Sequence, residues 1–219
     1  MSKKANKTNQ VGFGFGLARS MNDYRRTRGN KAPGKVIVIV CEGQETEPNY
    51  FRALRQKFRL RTLNVRVVPG KGAPISVVNC AIDEKKRIDE PTDEVWCVLD
   101  TENPLENPSL KTAIEKARNG KINLAVSNPA FEYWYFIHFG SSSHPFANGQ
   151  EIKQAVREYI PGYVESMNVF PVLDELTATA INNAEYLRKH SLESWDLFPN
   201  PSTGVDKLVV EIIKLAQGT

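Results

Sequence analysis

Acidic side chains recur where apolar runs stop. Glu42-Gly43-Gln44-Glu45-Thr46-Glu47 follows the run Val36–Cys41, Asp100-Thr101-Glu102 follows Glu94–Leu99, and Glu132 comes soon after Ser127-Asn128-Pro129. Carboxylates gathered at one place raise one another's pKa and repel. A divalent cation relieves that repulsion, and an all-oxygen ligand set suits Mg2+ or Mn2+. Such an ion can make water more acidic and neutralise charge in phosphodiester cleavage. Asp100 and Glu102, two apart beyond the end of a strand, can both turn toward one ion, with Glu42 completing the site or serving as acid or base. The plainer reading is a set of solvated loop acids that favour the dipole of a following helix. Spacing alone leaves both readings open.

Other residues carry paired readings. Lys71, between Gly70 and Gly72, can reach a substrate phosphate or decorate a solvated turn. Glu45 and Glu47 are further ligands or helix-start acids; Glu47 before Pro48 suits the latter. Glu132 lies in an aromatic stretch, where a buried acid needs a partner, so it either orients the site or pairs internally. Asn128, before Pro129, shapes a turn beside the site. Ser202 and Thr203 after Pro201 suit a helix N-cap, or a phosphate site at the same terminus. His138, His144 and His190 share no metal-ligand spacing and read as structural or exposed. There is no G-x-S-x-G elbow and no P-loop, so ATPase chemistry would have to come from a partner.

The elements that position these residues follow from periodicity. Val36–Cys41 is a continuous β-branched run of the kind buried on both faces of a sheet. Tyr50, Phe51, Leu54 and Phe58 then fall at helical spacing. Strands are expected over 63–68, 94–99 and 122–126. Helices are marked by Ile75, Val78 and Ile82, and by Leu110, Ile114 and Ala117, the latter closed at Asn119-Gly120. Strands alternating with helices predict an α/β fold with an open, mainly parallel four-stranded sheet and helices on both faces. Phe131–Phe139 reads as a buried helix that closes this layer. After Gly140 the pattern turns helical, over 149–159, about 166–190 and 203–217. The expected organisation is a basic flexible tail (1–34), an α/β domain (35–140) and a helical C-terminal subdomain (141–219). In open parallel sheets ligands bind outside the carboxyl ends of the strands, where the acids fall.

The chain has 219 residues, 41% hydrophobic and 25% charged, a composition of soluble globular proteins. The net charge of +4 is uneven: residues 1–34 hold eight Lys or Arg against the single acid Asp23, whereas the remainder is slightly acidic. A basic leader of this kind suits contact with nucleic acid or simple solvation. Its Gly12-Phe13-Gly14-Phe15-Gly16 lacks the preceding strand of a dinucleotide fingerprint. No apolar run approaches the ~20 residues of a membrane span, and Met1-Ser2-Lys3-Lys4 opens no signal peptide. A cytoplasmic location without membrane contact is therefore expected. The three cysteines, Cys41, Cys80 and Cys97, form no C-x-x-C pair; Cys41 and Cys97, which end or sit inside apolar runs, read as buried thiols.

Three blocks carry a family resemblance. Cys41-Glu42-Gly43-Gln44-Glu45-Thr46-Glu47-Pro48-Asn49-Tyr50-Phe51 resembles the CEG-x-x-TEP-x-YF opening of the RloB-like family, which includes AbiLii-type proteins of phage abortive infection. Ser127-Asn128-Pro129-Ala130-Phe131-Glu132-Tyr133-Trp134 resembles its SNP-x-FE-x-W block, with His138-Phe139 in the HF position. Asn200-Pro201-Ser202-Thr203 with Lys207-Leu208 resembles its NPST…KL block. The resemblance implies a Toprim-like domain, in which a Glu after the first strand and a D-x-D after the third hold Mg2+ for phosphodiester chemistry. Glu42 would be that glutamate, Asp100 the first acid of the pair, and Glu102 the second. Here Asp-Thr-Glu replaces Asp-x-Asp, which keeps the charge but moves the carboxylate by about one bond length, while Mg2+ demands near-octahedral geometry. The resemblance further implies a Mg2+- or Mn2+-dependent nuclease acting on DNA or RNA in phage defence, gated by an ABC/AAA-type ATPase encoded alongside; homo-oligomerisation is left open. The competing reading is a catalytically degenerate module that binds nucleic acid or the ATPase.

Overall fold

In the computed structural model the described residues are 34–67, 73–88, 90–101, 108–190 and 198–218, all within one compact unit, Pro33–Thr219. The basic leader, Lys71 and Glu102 lie outside them. Four parallel strands form as the periodicity requires: β1 Ile37–Cys41, β2 Leu63–Val67, β3 Glu94–Asp100 and β4 Asn123–Asn128. Helices α1 Thr46–Lys57, α2 Pro74–Lys85 and α3 Pro108–Asn119 connect them. The sheet order is β2-β1-β3-β4, with a fifth strand, β5 Ser202–Thr203, added antiparallel beyond β4.

Every residue of β1 is buried because both faces are covered. Ile37, Ile39 and Cys41, with Trp96, Val98 and Ala125, join one large core with α1 and the C-terminal helices. The alternate residues Val38, Val40, Cys97 and Leu99 meet the opposite layer, where α2 and α3 pack; the Cys97 thiol lies 3.9 Å from the Val77 carbonyl. The chain passes from β1 to β2 through α1 on one face, then crosses to β3 through α2 on the other. Winding therefore reverses between β1 and β3, the position of the ligand crevice in doubly wound sheets.

The aromatic stretch after β4 gives only a short helix, α4 Glu132–Phe136, although Tyr133, Trp134 and Tyr135 are fully buried as expected. Its rings interlock with Tyr50 and Phe51 of α1: Tyr50 lies edge-on to Phe131 at 5.9 Å and to Trp134 at 6.3 Å. Tyr135 donates its hydroxyl to the Thr46 carbonyl, tying α4 to the start of α1. Helices α5 Gly149–Tyr159, α6 Phe170–Leu173, α7 Thr177–His190 and α8 Val205–Gln217 follow, with one 3₁₀ turn at Asp174–Leu176. The long helix expected from 166 thus divides into two.

One further expectation changes. Ser202 and Thr203 form β5 instead of capping a helix. Thr203 Oγ1 still accepts the Val205 amide of α8 and meets Ser127 Oγ at 3.0 Å, so one hydroxyl serves both the strand edge and the helix start. α3 closes at Asn119-Gly120 as the sequence suggests, with the left-handed residue, Lys121 (φ 53), one beyond Gly120. Among the described residues no helix is long and apolar enough to cross a membrane.

Candidate functional site

The register brings the carboxyl ends of β1 and β3 side by side. Cys41 pairs with Val98, so Glu42 leaves β1 next to the strand that ends at Asp100. Strands in a sheet lie about 4.8 Å apart. Both acids line a cavity of about 490 Å³ over the α1 and α4 face, with Glu45, Glu47, Glu132 and Phe131. Asp100 shares its face with Val98 and Trp96, hence with the large aromatic core. That apolar floor explains its electrostatics. Burial holds its carboxyl well above the usual carboxylate range, reinforced by the charges of Glu47, Glu132 and Glu42; a hydrogen bond from the Phe131 amide acts the other way. Its Oδ1 is fully buried and has no hydrogen-bond partner.

Glu47 sits in the first turn of α1, 5% exposed, and its Oε1 accepts the Gly43 amide at 3.2 Å. This is the helix-start role, and its charge also bears on Asp100. Burial raises its own pKa. A Cβ at Gly43 would stand 2.2 Å from Glu47 Oε2, so any larger residue there would force the Glu47 carboxylate to shift. Glu132 is 2% exposed, and its Oε1 accepts the Tyr163 hydroxyl at 2.9 Å. Burial lifts its pKa, with Lys153 opposing. Glu132 therefore pairs internally, one of its two readings, and it also lines the cavity. Glu45 is exposed at the rim.

Asn128 stands apart from this group. Its Nδ2 donates to the Phe198 carbonyl at 2.8 Å, fastening β4 to the segment before β5. Nearby, Asn200 accepts the Phe146 amide and donates to the Phe146 carbonyl at 3.1 and 2.7 Å. The two Asn-Pro steps are thus structural staples. Glu102 and Lys71, expected as third ligand and phosphate contact, lie outside the described residues. Among the described residues no three His, Cys, Asp or Glu side chains are grouped so as to hold a metal ion.

Three residues at the cavity escaped the sequence reading. Lys153 on α5 and Glu165 beyond it line the wall opposite the strands, and Tyr163 supports Glu132 from behind. Lys153 Nζ pairs with Glu165 and stands 3.9 Å from Glu132 Oε1. Burial works against its charge, but the bond to Glu165 and the charge of Glu132 outweigh this and raise its pKa. Their only sequence signal is an amphipathic α5, which marks a buried face but not what its polar flank meets.

The three sequence blocks thus meet in space: the first supplies the cavity lip, the second its back wall, and the third the strand paired to β4. No match is found among curated proteins, nor among solved structures. The family model described as RloB-like protein matches residues 37–212, from the first residue of β1 into α8. With all three blocks and every strand inside that span, the chain belongs to the RloB-like family.

Proposed function

We propose that the protein is a Toprim-type, Mg2+- or Mn2+-dependent nuclease that acts as a phage-defence effector, gated by an ATPase partner. Glu42, Asp100 and Glu102 would hold the ion. The observation that carries the reading is Asp100 Oδ1, sealed and without a hydrogen-bond partner in a cavity where Glu42, Glu47 and Glu132 also stand. A buried carboxylate oxygen in that state costs free energy, and an oxygen-only donor set is what a hard divalent cation takes.

When bound, such an ion supplies charge neutralisation on a phosphodiester and a more acidic water. The chain's own residues do the rest. Phe131 fixes Asp100 through its amide and, with the aromatic core behind it, limits water access on that side. Gly43 permits the close approach of Glu47, whose carboxylate stays fixed on the Gly43 amide. Glu132, positioned by Tyr163, adds negative charge that strengthens cation binding without needing to ligate.

The test is a cleavage screen over DNA, tRNA and other RNA with Mg2+ or Mn2+, with and without the ATPase encoded alongside, using Glu42→Gln/Asp100→Asn as control. Metal-dependent cleavage lost in the double variant is expected; activity that survives it overturns the assignment. The Asp-Thr-Glu departure favours a second reading, a catalytically degenerate module that binds nucleic acid or the ATPase. It takes over if wild type and double variant bind Mn2+ equally and neither cleaves.

A further inference from the structure

A cavity lined mainly by carboxylates is poorly suited to a polyanion. Of the described charged side chains that line it, six are carboxylates and one, Lys153, is an ammonium. We propose that Lys153 docks a phosphate group of the substrate in this cavity and that, in the free protein, Glu165 holds it as a competing anion. The proposal rests on the reading that a phosphate ester enters the cavity.

The two partners of Lys153 differ in kind. Glu132 is almost sealed, is already satisfied by the Tyr163 hydroxyl, and stands 3.9 Å from the ammonium, beyond hydrogen-bond reach. It draws Lys153 inward without consuming a donor. Glu165 makes the close contact, but its side chain is 53% exposed. Exposed pairs of that kind contribute little net free energy and exchange readily. The Lys153 side chain is itself 24% exposed and makes one of the three hydrogen bonds its ammonium can donate. Its backbone is firmly seated, since Ile152 and Val156 on the same helix are fully buried. A fixed base, a flexible stem and a weakly held charge at the mouth are what a residue needs to leave a carboxylate for a phosphate. Phosphate oxygens accept charge-assisted bonds from an ammonium as carboxylates do.

The sign of the Glu165 effect separates this from a structural ion pair. The probe is thymidine 3′,5′-bisphosphate, small enough to report on the cavity apart from the basic leader. It is titrated calorimetrically into the full chain with and without Ca2+. Lys153→Met is expected to weaken binding on the order of tenfold, Lys153→Arg to restore most of it, and Glu165→Gln to tighten it about threefold. The double variant should match Lys153→Met, and melting curves confirm that each variant is folded. The proposal is overturned if Lys153→Met binds like wild type, if Glu165→Gln weakens binding as Lys153→Met does, or if wild type binds no bisphosphate. A Lys153 and Glu165 response that persists while Asp100→Asn leaves the Ca2+ effect unchanged sustains the docking role and overturns the ion assignment instead.

Discussion

The Tyr163 hydroxyl donates to Glu132 Oε1 at 2.9 Å inside the protein, joining the loop after α5 to the helix after β4. Both residues are almost fully buried, so water is a poor substitute for the bond. Tyr163→Phe removes a donor from a buried acid, and the expected cost is about 1–3 kcal/mol. For a chain of this size each kcal/mol is about 2–4 °C in Tm. A Tyr163→Phe variant as stable as wild type in urea titration would show that Glu132 has no need of this partner.

Divalent cations should stabilise the fold. An ion at 100 times its Kd adds about 2.7 kcal/mol, or about 5–10 °C in Tm. The increment should vanish in Asp100→Asn and in Glu42→Gln but survive largely in Glu132→Gln. Equal Mn2+ shifts in wild type and Asp100→Asn by differential scanning fluorimetry would contradict the roles given to Glu42 and Asp100.

Buried His138 contributes acid sensitivity. Its Nδ1 meets the Trp134 carbonyl at 2.8 Å, which requires an N–H there and leaves Nε2 buried without a partner. Burial depresses its pKa to about 4. The unfolded chain therefore binds more protons between pH 6.5 and about 4. Stability contributed by neutral His138 is complete above that window and is lost as pH falls through it, by on the order of 3 kcal/mol. His138→Gln should flatten this part of a stability–pH profile. The buried carboxyls of Glu47, Asp100 and Glu132 act with opposite sign: their raised values make stability fall as pH rises through them.

Gly43→Ala tests the lip. The added methyl displaces the Glu47 carboxylate from the Gly43 amide that holds it. A stability loss of about 1–3 kcal/mol is expected, together with a loss of Mn2+ binding that exceeds any loss of helicity by circular dichroism. Retained Mn2+ affinity would mean that Glu47 is not part of the charge balance around Asp100.

Much of this was legible beforehand. The β-branched run at 36–41 and the acids after it mark a buried parallel strand that ends at a carboxylate-lined cavity, because periodicity and strand ends are local properties. Strand order is not local. That β1 and β3 adjoin, and so bring Glu42 near Asp100, depends on which face each crossover takes. β5 was missed because two residues carry no period, and its partners Asn128 and Ser127 lie 74 and 76 residues away in sequence. Lys153, Tyr163 and Glu165 were invisible for a related reason. Each reads as an ordinary polar position on or after an amphipathic helix, and only packing of that helix against α4 turns it toward the acids.

The late fifth strand has a consequence for biosynthesis. β4 acquires its second neighbour only from residues 202 and 203. A nascent chain halted at α7 would expose one bare flank of the sheet and leave Asn128 and Phe146 without their anchors. Truncated products of this gene should therefore be insoluble or rapidly degraded.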